Sequence, residues 1–138
     1  MVEPITIRIV LEQDIVVARQ KGRTLAKELG FNVVDQCRIA TCISELARNI
    51  FHYAQQGTIE LRLINNNNHL GIEIVAKDQG PGINDINLAM LDGFSTSQGL
   101  GMGLPGTRRL MDEFYLNSAP GKGTLVTVRK WLTFSRQL

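Results

Sequence analysis

The sequence predicts an α+β fold: a mixed, mostly antiparallel sheet with helices on one face. Three observations predict it. Isoleucines alternate with polar residues at the start of the chain. Two long segments then repeat apolar residues at helical spacing. The remainder alternates again around turn residues, interrupted by one more helical stretch. Strands and helices segregated in this way give a sheet with its helices gathered on one side.

Ile5, Ile7 and Ile9 alternate with Thr6 and Arg8, the period of a strand. Asp14 to Leu29 reads as an amphipathic helix, with Ile15, Ala18, Gly22, Leu25 and Leu29 near one face and Gly30 as a stop just past its end. A second helix is predicted from Val34 to Ala54, where Ala40, Ile43, Ala47, Ile50 and Ala54 form a buried stripe. Ile59, Leu61 and Leu63, then Leu70, Ile72, Ile74 and Ala76, alternate on either side of a turn at Asn65 to Asn68, which is a hairpin. Its second strand ends in Asp78-Gln79-Gly80-Pro81-Gly82. A small helix is expected around Ile86 to Leu91 and a mobile loop from Asp92 to Gly103. A third helix covers Leu104 to Asp112, with Pro105 tolerated in its first turn. Phe114 to Asn117 and Thr124 to Trp131 are strands flanking the turn Pro120-Gly121-Lys122-Gly123.

The chain's 138 residues fit one domain, long enough for a core without disulfide or metal staples. A formal net charge of +2 gives no electrostatic footprint for nucleic acid. Arg129, Lys130 and Arg136 read as a solvated terminus. Cys37 and Cys42 point to different helix faces and are expected as reduced core residues. No Cys/His cluster has zinc spacing. No stretch is long and apolar enough for a membrane span, and the start lacks a signal peptide's pattern, so the chain reads as cytoplasmic.

Four places could carry chemistry. Glu45 and Asn49 stand four apart on the second helix, one turn above the other beside the apolar stripe. A carboxylate there can accept a proton, and an amide oxygen is a ligand of the type Mg²⁺ takes; taken alone, the pair reads as a solvated helix face. Arg48 is expected on another face, either touching a protein partner or forming a surface ion pair. Asp78 at the end of a buried strand, followed by Gly80 and Gly82, lets backbone approach a ligand and offers an acceptor to an exocyclic amine; a plain turn is the simpler alternative. Gly99-Leu100-Gly101-Met102-Gly103-Leu104 runs into a helix start, where free N–H groups favour phosphate. It is neither a Walker loop nor a dinucleotide fingerprint. Gly121-Lys122-Gly123-Thr124 opens the last strand as a hairpin turn, with the Thr124 hydroxyl available to a pocket.

Together and in this order, from Glu45 to Thr124, the four motifs resemble the ATP-binding fold shared by gyrase, Hsp90, histidine kinases and MutL. The resemblance implies an α/β sandwich with ATP between the helices and a lid over Asp92 to Met102. It implies Mg²⁺ on Asn49, the adenine amine on Asp78, and Gly80, Gly82 and Ile83 lining the adenine pocket. Gly99, Leu100, Gly101, Met102, Gly103 and Leu104 would wrap the phosphates, Thr124 would support the adenine end, and Tyr53 would sit near the phosphates. His52 is read as structural.

Length separates the branches of that family. The chain has no room for a phosphoacceptor-histidine domain or for a second domain supplying a lysine to the γ-phosphate. Asp14-Ile15-Val16, Ala26-Lys27-Glu28-Leu29-Gly30-Phe31, Ile43 to Ile50, Asp92 to Ser97 and Arg109 to Phe114 resemble the RsbT-type switch kinases of the stressosome. That resemblance implies a serine/threonine kinase acting on STAS-domain antagonist proteins, with Glu45 as base or hydroxyl-orienting group, which also activates a PP2C-type phosphatase once released. An anti-sigma factor kinase and an ATP-gated binding switch without significant chemistry stay open.

Overall fold

The computed structural model describes residues 3–83, 90 and 103–133. Along the chain run β1 (Ile5–Ile9), α1 (Gln13–Leu29), α2 (Val33–Asn49), a π-helical turn (Ile50–Ala54), β2 (Gly57–Asn66), β3 (His69–Asp78), α3 (Gly103–Leu110), β4 (Glu113–Ser118) and β5 (Thr124–Trp131). The strands lie in the order β1-β2-β3-β5-β4. Every described pairing is antiparallel. The helix predicted at 86–91 and the loop predicted at 92–102 lie outside the described residues.

Local chemistry sets the element ends. Asp14 Oδ2 accepts the N–H groups of Leu11 at 2.8 Å and Val10 at 3.0 Å, which closes the entry to α1 and holds the carboxyl below its usual range. Gly30 ends α1 in the left-handed region at φ 101°, a conformation that favours glycine. Asn32 caps α2, its side-chain oxygen accepting the Asp35 N–H at 2.7 Å. The β2–β3 hairpin turns on Asn67 and Asn68, both at positive φ, in the mirror-image turn whose twist matches paired strands.

The alternating residues of the sheet face the helices. Ile9, Ile59, Leu61, Ile72, Ile74 and Val128 are buried against Ala18 and Leu25 of α1 and Ile39, Ile43 and Leu46 of α2. Each such side chain contributes about 1.5–3 kcal/mol. Gly22 lets α1 lie close on α2, because a Cβ there would collide with the Ile43 side chain.

The second helix departs from the expected continuous α-winding. From Ile50 it opens into a π turn that closes when the Gln55 N–H donates to the Ile50 carbonyl at 2.8 Å, five residues back. Two expectations about side chains change. Cys37 is exposed; only Cys42 is core, where burial pushes its thiol pKa up. Arg129 and Lys130 are strand residues with partners rather than a solvated terminus. Lys130 is buried, donates to the Leu110 carbonyl at 3.2 Å and lies 3.8 Å from Asp35 Oδ1. Arg129 reaches Glu73 at 2.8 Å and Glu113 at 3.0 Å on the sheet face away from the helices.

Candidate active site

At one end of the sheet, strand register sets Gly57 opposite Asp78, Asp78 opposite Thr124, and Thr124 opposite Ser118. Partners in antiparallel strands share a face. This row continues the parity of Ile72, Ile74 and Ala76, so it belongs to the helix side.

Asp78 is half-buried, and its Oδ1 accepts the Gly80 N–H at 2.8 Å. Burial pushes its carboxyl above the usual range, and backbone N–H groups of Gly80 and Thr124 act against that rise. The glycines after it answer to packing. A Cβ on Gly80 would come within 2.5 Å of the Ala54 Cβ, and one on Gly82, at φ 77°, would overlap the Ala119 carbonyl. The turn is tied across to the last hairpin by Gly121 N–H to the Pro81 carbonyl, 2.6 Å, and by Ile83 N–H to Ser118 Oγ, 2.9 Å. A cleft of about 330 Å³ opens at this end of the sheet; besides Asp78, Ser118 and Thr124 it is lined by Lys77, Asn117 and Leu125, a row of the opposite parity, and by Lys122, so it opens toward the face away from the helices rather than toward α2.

The π turn that follows α2 meets this turn through the Ala54–Gly80 contact. One turn before the last residue of α2, Glu45 is 1% exposed. Its Oε2 has no hydrogen-bond partner among the described residues. Arg48, expected on another face, approaches it instead: the i,i+3 spacing brings Nε to 3.7 Å from Oε2, and that Nε is itself buried without a partner. Asn49, the last residue of α2, is half-buried, and Tyr53 in the π turn is 45% exposed.

Gly103 and Leu104 begin α3, which packs on α2; both are buried, and Gly103 stands at φ 61°. The free N–H groups of a first helical turn suit an anion. Gly99, Leu100, Gly101 and Met102 lie outside the described residues, as does the lid span 92–102.

Among the described residues no group of three or more His, Cys, Asp or Glu could hold a metal ion. A Mg²⁺ carried mainly by phosphate oxygens needs no such cage, and one amide oxygen such as that of Asn49 fits it. The orphaned Glu45 oxygen, an acceptor without a partner among the described residues, fits a nucleotide site in the same way.

Residues 34–133 match the family of histidine kinase-, DNA gyrase B- and HSP90-like ATPases. The chain belongs to that family. Domains of this family use ATP. Serine/threonine-protein kinase RsbT of Bacillus subtilis (strain 168) is 60% identical over 126 residues, 91% of this chain and 95% of that protein. An anti-sigma F factor of Caldanaerobacter subterraneus is 33% identical over 125 residues, 86% of each chain. Among solved structures, the RsbU and RsbW domains of a Mycobacterium tuberculosis protein share the fold with a TM-score of 0.65 at 16% identity; the match spans 99% of this chain and 35% of that one.

Ser118 escaped the sequence reading because the strand was expected to end at Asn117, which left the serine in the turn. The alternation Phe114, Leu116, Ser118 was the signal that extends β4 by one residue and puts the hydroxyl on the helix side. The i,i+3 spacing of Glu45 and Arg48 was the signal for their contact; what helical spacing cannot tell is how deeply that face is covered.

Proposed function

We propose that this chain is a single ATP-binding domain acting as a cytoplasmic serine/threonine protein kinase. In this reading it phosphorylates STAS-domain antagonist proteins in bacterial stress signalling and, once released from them, activates a PP2C-type phosphatase. The 60% identity to a protein named as a serine/threonine kinase, over nearly its whole length, supports the activity. The observation that favours chemistry over a mere binding switch is Glu45. A fully buried carboxylate with an unclaimed oxygen, one turn before an amide, is costly unless something uses it.

In this mechanism Asp78 accepts a hydrogen bond from the adenine amine, and Gly80, Gly82 and Ile83 let the base lie against the backbone. Thr124 supports the same end. Asn49 offers its side-chain oxygen to Mg²⁺, which when bound neutralises charge on the phosphates. First-turn N–H groups of Gly103 and Leu104, with the segment 99–102, meet the phosphate oxygens, and Tyr53 borders them. Glu45 orients the serine or threonine hydroxyl and takes its proton as the oxygen attacks in line. Arg48, with Nε 3.7 Å from Glu45 Oε2, is the countercharge beside that carboxylate.

Transfer of label from γ-labelled ATP to a STAS-domain protein of the same cell tests this reading, with Glu45→Ala and Asp78→Asn as controls. Label on serine or threonine that vanishes in both variants is expected. Full transfer by Glu45→Ala would remove Glu45 from the reaction. The 33% identity to anti-sigma F factors favours one second reading, a kinase that also holds a sigma factor. Co-purification of a sigma factor with the chain would support it.

A further inference from the structure

We infer that Ser118 is a positioning residue that turns Thr124 into a pure hydrogen-bond acceptor, and that this selects a nucleobase carrying an exocyclic amine over one carrying a carbonyl at the same place. The inference rests on the nucleotide reading of the Asp78 pocket.

A serine hydroxyl has one proton to give and two lone pairs to fill. Around Ser118 Oγ three contacts use all of them. The Gly123 carbonyl, 2.8 Å away, can only accept, so the serine proton goes there. The Ile83 N–H, 2.9 Å away, can only donate, and it fills one lone pair. The remaining lone pair faces Thr124 Oγ1 at 3.0 Å. The proton in that contact must therefore be the threonine's. With its only hydrogen committed to Ser118, Thr124 has nothing but lone pairs to offer a ligand.

Thr124 stands opposite Asp78 in the β3–β5 register, so the two share the helix-side face of the sheet. The ionised Asp78 carboxylate is also an acceptor. This stretch of the pocket consequently presents acceptors side by side. An amine N–H of the base satisfies them. A carbonyl oxygen in its place meets lone pairs and leaves buried polar atoms unpaired, the kind of mismatch by which binding sites reject close analogues. If Ser118 were only a staple of the β4–β5 turn, its loss would weaken every nucleotide alike.

Titration of the full chain with Mg-ATP and with Mg-ITP, whose base replaces the amine by a carbonyl, separates the two. The wild type should prefer ATP, and Asp78→Asn should lose that preference. Ser118→Ala frees the Thr124 proton, so ATP affinity should fall about tenfold, the worth of roughly one hydrogen bond, while ITP falls less. The ATP/ITP ratio then shrinks, and Ser118→Thr, which keeps the hydroxyl, restores it. An equal loss for both nucleotides in Ser118→Ala, or no loss at all while Asp78→Asn still abolishes the preference, overturns the inference alone. A wild type that binds no ATP, or an Asp78→Asn variant that binds it unchanged, overturns the nucleotide reading and the inference with it. Should Ser118→Ala fail to fold, Thr124→Ser and Thr124→Val carry the same test. The serine variant should keep the ATP/ITP ratio and the valine variant should lower it; the reverse order refutes the acceptor role.

Discussion

Replacing Glu45 by glutamine should make the protein inactive and more stable at once. The side chain keeps its shape and loses its charge. In the wild type that charge is 1% exposed, and its nearest countercharge is Arg48 Nε at 3.7 Å, with neither atom hydrogen-bonded. At that spacing the attraction is about 4 kcal/mol for an effective dielectric of about 20. Taking a carboxylate out of water costs several kcal/mol, and a loose pair without supporting hydrogen bonds does not recover it. Arg48 loses its partner in the variant, but its side chain is 24% exposed and its terminal nitrogens can turn to water. The balance favours the variant by about 1–2 kcal/mol, which for a chain of this size raises the thermal midpoint by roughly 3–10 °C. Phosphotransfer should fall by about 10²–10⁴, the usual worth of a proton acceptor. Thermal unfolding without nucleotide, run beside the labelling assay, checks both. A lowered midpoint in Glu45→Gln would refute the reasoning: Glu45 would then be Arg48's structural partner, and its burial would need no catalytic account.

Arg48→Met should act in the opposite sense, stranding the buried carboxylate and costing about 3 kcal/mol in chemical denaturation. Asp78→Asn should weaken ATP binding to the level of ITP while leaving the far-ultraviolet circular dichroism unchanged. Because burial raises the Asp78 pKa, the folded state holds that proton longer than the unfolded chain; stability from this group therefore falls as pH rises from the ordinary carboxylate range to the raised value, and in Asp78→Asn that slope disappears from the pH dependence of unfolding. Gly80→Ala, which drives a methyl into Ala54, should weaken ATP binding by about tenfold or more in a nucleotide titration and cost about 1–3 kcal/mol. Asn32→Ala removes the cap of α2 and should cost about 1 kcal/mol in the same unfolding assay without changing the affinity for ATP.

Periodicity carried most of the architecture. Alternation of Ile5, Ile7 and Ile9, the stripe through Ile43 and Ala47, and the asparagine turn each report a face that packing later uses. What periodicity could not report is depth and direction across the chain. Glu45 was legible as a helix residue beside the stripe, but its complete burial is a tertiary fact of a helix that packs on α1, α3, β2 and β3. The π turn at Ile50 arises where α2 must end against Gly57 and Gly80, which is a tertiary condition with no helical signature. Ser118 shows the same limit at single-residue scale: one more residue of alternation decides whether a hydroxyl hangs in a loop or stands beside Thr124. Lys130 looked like one more late basic residue because charge alone says nothing about Asp35, ninety-odd positions earlier, waiting to receive it.

Gly57, Asp78, Thr124 and Ser118 come from four different strands, and the second and third are 46 positions apart in the chain. No hairpin by itself contains the row; it exists only after β5 has inserted between β3 and β4. Contacts of such sequence separation close late and slowly. If this row binds the base as proposed, a newly made or partly unfolded chain would not capture nucleotide, however good its helices. The ligand would instead recognise the finished sheet, and by mass action it should hold the chain in that state against proteases, in proportion to the logarithm of nucleotide concentration over its dissociation constant. On that reading the cell's nucleotide pool would act as a folding reagent as well as a phosphoryl source.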